Sequence, residues 1–155
     1  MGQLRDNTMS DKYNQLPDQL LTHLRGKFSI HPLDGGCVVV TPFRHFDMSY
    51  IEIHVEPLNN GFHISDGGET LNMLFVSGIT VEENPDLMQW AKRIARTHGV
   101  QFQDSAISAY ATTEQVGYLL DRLIHTIQSI GFFIYHRPYQ SQPAYRNDVE
   151  EISTD

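Results

Sequence analysis

The chain has 155 residues, 40% of them hydrophobic, with one cysteine and a formal net charge of −8 at pH 7. A chain of this length buries a core without metals or disulfides, and Cys37 alone excludes an intrachain disulfide and suits a reducing compartment. The acidic balance excludes binding driven by phosphate contacts, which needs a basic face; it leaves a basic partner, mimicry of nucleic acid or plain solubility as its meaning.

Residues 1–12 are polar, offer Met1 and Met9 as alternative starts, and are expected to be a flexible leader to a single domain over 13–137. A helix is expected from near Pro17, which suits a first helical position, with Asp18 favouring the positive helix end. Leu16, Leu20, Leu21 and Leu24 recur at helical spacing and Gly26 stops the run, so this helix should bury a leucine face over the core. Phe28 and Ile30 then alternate in a strand, Asp34-Gly35-Gly36 turns the chain, and Cys37 to Thr41 is a dense β-branched run, together predicting a hairpin. Pro42 either ends that ladder or places the segment at an edge.

Asp47 to Glu56 reads as a strand with Ile51, Ile53 and Val55 on one side and Tyr50, Glu52, His54 and Glu56 on the other. After Asn59-Asn60-Gly61, Phe62 and Ile64 alternate with His63 and Ser65. A four-residue loop would set His54 opposite His63, and a two-residue loop would set Glu56 there. In both, the apolar residues share one face, and a slip by one residue would expose Phe62 and Ile64 to water.

Asp66-Gly67-Gly68 bends the chain into a helix expected to turn Leu71, Leu74 and Phe75 inward, capped by Asp66 or the Thr70 hydroxyl and ended at Gly78. Asn84-Pro85-Asp86 opens another, with Leu87, Met88, Ala91, Ile94 and Ala95 inward and Gly99 closing it. Val100, Phe102, Ile107 and Tyr110 suggest two short strands around Asp104-Ser105. Thr112 stands three residues before Gln115, a capping-box spacing, and Val116, Leu119, Leu120, Leu123, Ile124, Ile127 and Ile130 form a wide apolar stripe on the last helix. Residues 138–155 are polar and without periodicity, expected to be a disordered tail.

These elements predict an α+β fold, a small and mostly antiparallel sheet of about five or six strands against three or four helices. No basic-plus-apolar leader marks a secretion signal, and the apolar runs fall far short of the roughly 20 residues that span a bilayer, so a cytoplasmic protein with no membrane contact is expected. Thr41-Pro42-Phe43, Asp47, the strand Ile51 to Glu56 and the elbow Ile64-Ser65-Asp66-Gly67-Gly68-Glu69-Thr70-Leu71 resemble a bacterial and phage family known as domain of unknown function 1828. The resemblance spans roughly residues 36–130 and implies no activity; the family's distribution implies a lean towards conflict or regulatory roles.

Between Arg44 and Lys92 there are eight Asp or Glu residues and no Lys or Arg. Tyr50, Glu52, His54, Glu56, His63, Asp66 and Glu69 therefore form the candidate binding face, suited to a protein partner, with the final helix as an alternative contact. Imidazole beside carboxylates also suits a divalent metal, and Asp47, Glu52 and His54 are candidate catalytic residues for a small metal-dependent hydrolase. Asp47 and the Glu52-Ile53-His54 run faintly resemble nuclease strands, although His54 stands where those place lysine. No other cofactor is expected. The elbow's Asp66 and Glu69 would repel a phosphate, and no lysine follows it as a phosphate loop requires. Cys37 fits packing better than nucleophilic chemistry. Oligomeric state is not legible at this level.

Overall fold

A computed structural model describes residues 2–136, and their side chains from residue 11 onward. The elements are α1 (Gly2–Arg25), β1 (Ser29–Leu33), β2 (Gly36–Arg44), β3 (Tyr50–Leu58), β4 (Gly61–Ser65), α2 (Glu69–Val76), α3 (Pro85–Thr97), β5 (Gln101–Gln103), β6 (Ala106–Thr112) and α4 (Val116–Tyr135), with a 3-10 turn at Val81–Glu83. The six strands make one antiparallel sheet in the order β1-β2-β3-β4-β6-β5. The fold is α+β. The expected tail, 138–155, lies outside the described residues.

Both hairpins close as the turn chemistry requires. Asp34-Gly35 joins β1 to β2 with Leu33 opposite Gly36, and Asn59-Asn60 joins β3 to β4 with Leu58 opposite Gly61. The second loop therefore has two residues, and Glu56 faces His63. The alternation in β3 sends Ile51 and Ile53 fully inside and leaves Tyr50, Glu52, His54 and Glu56 exposed. Pro42 lies where the β2–β3 register shifts, between Val40 and Arg44, so the strand tolerates a residue without an N–H at its irregularity.

The helices α2 and α4 pack on β6, and α3 packs on β5, so the core lies over the β3-β4-β6-β5 part of the sheet. Ile64, Ile107, Leu74, Leu123, Ile127, Ile130 and Ile134 are its centre. The stripe predicted for α4 is thus its buried side, while Tyr118 and Phe133 stay exposed. Asn84 caps α3 as its sequence implies, its Oδ1 accepting from the amides of Asp86 at 3.1 Å and Leu87 at 3.2 Å.

Four local expectations are corrected. α1 starts at Gly2 and not near Pro17, so Pro17 stands inside the helix. The carbonyl of Tyr13 that Pro17 leaves without a donor is on an exposed segment, where water can serve it. The leucine face of α1 does not cover the core: Leu16, Leu20 and Leu21 are exposed. Phe75 points outward, 62% exposed, because α2 is only eight residues long and turns Leu71 and Leu74 inward. The capping box does not form, since Thr112 remains the last residue of β6 and Gln115 caps α4 without a side-chain bond.

Replacing Ile127, 1% exposed, with alanine leaves a cavity under α4 and should cost about 2–5 kcal/mol in denaturant unfolding. Phe75→Ala should change stability by no more than about 0.5 kcal/mol.

Candidate functional site

The strand β4 stops at Ser65, opposite His54, so the first residues of β3 have no β4 neighbour. The elbow and the start of α2 fill that notch. A cleft of about 200 Å³ results, lined by Ser49, Tyr50, Glu52, His54, Asp66, Glu69 and Met73. Five of the seven residues predicted for the binding face meet there. Glu56 and His63 do not: they face each other further along the sheet, towards the β3–β4 turn.

The acids in and around the cleft divide into two kinds. Asp66 is 2% exposed, and its carboxylate accepts from the backbone amides of Gly68 at 2.9 Å, Thr70 at 3.2 Å and Ile107 at 2.9 Å. It caps α2 and replaces the missing strand for β6, so its place on the predicted face is as a buried structural acid. The alternative cap, the Thr70 hydroxyl, is buried with no hydrogen-bond partner among the described residues. Asp47 lies in the loop between β2 and β3 and accepts from the amide and hydroxyl of Ser49. The Ser49 hydroxyl chiefly holds its carboxyl below the ordinary carboxylate value, reinforced by the Ser49 amide and offset by desolvation. Glu52 and Glu69, by contrast, are exposed, and their carboxylates have no ion pair or hydrogen bond among the described residues.

His54 lies directly on the elbow. A Cβ at Gly67 would stand 2.8 Å from its Cδ2 and 2.9 Å from its Nε2, and Gly67 has φ +67°. Glycine is therefore favoured for its left-handed backbone, and a side chain there would also displace the imidazole of the exposed His54. On the far side, Tyr50 is held by Arg44, whose guanidinium lies 4.5 Å from the ring centroid and donates to the phenol oxygen at 2.9 Å.

His45, absent from the sequence-based candidates, is buried beside these acids, only 2% exposed. Burial lowers its pKa below the ordinary histidine value, outweighing the opposite pull of Asp47, Asp66, Glu69 and Glu52. Its context, Arg44-His45-Phe46, carries no periodic signal that marks it as interior. Ser49 and Met73, two further walls of the cleft, are equally silent in sequence.

Among the described residues, no three His, Cys, Asp or Glu side chains gather closely enough to hold an ion. Asp47 is engaged by Ser49 and Asp66 by three amides, so the two acids at the strand ends are committed to the fold. No described helix is long and apolar enough to cross a membrane.

A family model described as Domain of unknown function DUF1828 matches residues 41–130, a span that includes every residue of the cleft. The chain belongs to that family. Neither the curated proteins nor the solved structures give a match.

Two measurements check this geometry. Gly67→Ala should destabilise by about 1–3 kcal/mol, from the left-handed backbone and the clash with His54. Adding His54→Ala should recover the clash alone, so the double variant should be more stable than additivity predicts. The second concerns pH. A histidine held neutral in the fold is protonated more readily in the unfolded chain, so its contribution is full above the ordinary value of 6.5 and declines as pH falls through it. His45→Phe should flatten the fall in stability between about pH 7 and pH 5 that wild type shows in denaturant titrations.

Proposed function

We propose that this member of the DUF1828 family is an intracellular interaction module whose acidic cleft receives a basic segment of a protein partner, in a regulatory or inhibitory role. The observation that carries the reading is the unpaired state of Glu52 and Glu69. Both carboxylates face one cleft, and the chain supplies no Lys or Arg between Arg44 and Lys92 to neutralise them. Exposed like charges close together raise the potential of the cleft and favour an incoming cation. Tyr50 and Met73 add the apolar walls along which the stem of a lysine or arginine lies.

Size supports the same choice. At about 200 Å³ the cleft is below the ~300–1,000 Å³ of sites that enclose a small-molecule ligand, but it suits one or two side chains of a peptide. The lean towards conflict roles that the family resemblance implies favours a host protein as the partner. The hydrolase alternative lacks comparable support, because one of its two acids, Asp47, accepts hydrogen bonds from Ser49.

Affinity capture from host lysate, with wild type and with the Glu52→Lys/Glu69→Lys double variant, tests the proposal. Wild type should retain a stoichiometric protein whose binding weakens as salt rises, and the double variant should bind it at least about tenfold less tightly. A partner held equally by both forms, or no stoichiometric partner, overturns it. Thermal melts with EDTA and with Mn²⁺ or Zn²⁺ should coincide. A metal-dependent stabilisation lost in Glu52→Ala would restore the hydrolase reading instead.

A further inference from the structure

The exposed face of α1 has a different chemistry from the cleft. Between residues 11 and 25, Tyr13, Leu16, Pro17, Leu20, Leu21 and Leu24 fall within an arc of roughly 140° on the helix, and every residue outside that arc is polar. Tyr13, Leu16, Leu20 and Leu21 are each 54–58% exposed, and Phe28, just beyond the helix, is 38% exposed. Such an arc on a helix is the pattern of a buried element, yet among the described residues only Leu24, at its C-terminal end, is partly covered by the rest of the chain.

We infer that this arc is covered by the same arc of a second copy, the two α1 helices packing antiparallel about a two-fold axis near residue 18. The area is sufficient. At roughly 100 Å² of exposed surface per side chain, Tyr13, Leu16, Leu20 and Leu21 contribute roughly 400 Å² per copy, or about 800 Å² in the pair. Apolar atoms make up roughly 60% of an interface, so the whole contact is about 1,300 Å², within the range of stable protein–protein interfaces.

Charge selects a copy of this chain and its direction. The segment 11–25 is locally neutral, with Asp11 and Asp18 balanced by Lys12 and Arg25, although the chain as a whole carries −8. Two such segments pair without like-charge repulsion, which contact between the acidic sheet faces would incur. Only Gly26, Lys27 and Phe28 separate α1 from β1, so each helix holds its body close. Parallel helices would bring two bodies of like charge together; antiparallel ones about residue 18 place their points of attachment about 21 Å apart, at opposite ends of the paired segment 11–25. Joining through the outer edge of the sheet is disfavoured, because β1 carries Pro32, which has no N–H to donate.

Sedimentation equilibrium at tens of micromolar should give twice the 17.7 kDa chain mass for wild type. Leu16→Glu/Leu20→Glu should give the monomer with an unchanged near-ultraviolet spectrum, since both side chains are exposed and contribute nothing to the core. In a Cys37→Ser background, a Tyr13→Cys chain mixed with a His23→Cys chain should form the mixed disulfide in preference to either like pair. A monomeric wild type, a dimeric double variant or preferential like-pair disulfides would each overturn the inference. So would a wild-type monomer that co-sediments with anionic phospholipid vesicles, since the arc would then be a membrane-surface helix. None of these outcomes depends on the cleft having a partner.

Discussion

Where β4 ends, the sheet would leave the amide of Ile107 in β6 without an acceptor, deep between two layers. The Asp66 carboxylate takes that amide and those of Gly68 and Thr70, while its own backbone amide donates to the Ile107 carbonyl at 3.0 Å. A carboxylate buried to this degree would cost several kcal/mol if unpaired. Here its lone pairs are met by donors that have no other partner, and each charge-assisted bond is stronger than a neutral one. One side chain thus ends a strand, extends its neighbour and starts a helix. The position of α2, and with it Leu71, Leu74 and the walls of the cleft, follows from that single group.

The cleft exists because the same clamp shortens β4. Had that strand continued past Ser65, its side chains and backbone would occupy the space beside Tyr50 and Glu52. Instead the chain folds sharply through Gly67 and Gly68, both at positive φ, and Glu69 emerges on the first turn of α2 facing β3. His54 packs against the bare backbone of Gly67, which ties the strand's polar face to the elbow. The acids around the cleft therefore differ in role by position. Those at the chain's bends, Asp47 and Asp66, accept from backbone amides, whereas Glu52 in mid-strand and Glu69 on the exposed side of α2 have no such bond among the described residues.

What was legible in the sequence is what local physics decides. Asn59-Asn60-Gly61 and Asp34-Gly35-Gly36 specify tight turns, and the alternation of Ile51, Ile53 and Val55 with charged residues specifies the face. Asn84-Pro85-Asp86 announces a helix start because capping involves only neighbours. Each failure has a non-local cause. Asp66 reads as a polar elbow residue until Ile107, 41 positions later, is brought beside it. Thr112 and Gln115 match a capping spacing, but β6 claims Thr112 for pairing with Gly61. The leucines of α1 show the correct period for burial; periodicity reports which residues share a side, and says nothing about whether that side meets the rest of the same chain. His45 is the opposite case, a polar residue enclosed by elements that converge from β2, β3 and α2.

These observations divide the surface into regions with opposed solvent responses. Charge on the acidic stretch, from Asp47 to Asp86, has a reach of about 8 Å at physiological salt. The arc of α1 presents apolar area, whose burial salt does not weaken and excluded cosolutes strengthen. The two regions are neighbours: Tyr50 borders the acidic cleft on one side and, on the other, a groove formed with His23, Leu24 and Val40 under the last turn of α1. Arg44 lies in that groove with its guanidinium stacked on Tyr50, so the phenol ring separates a cationic side from an acidic one.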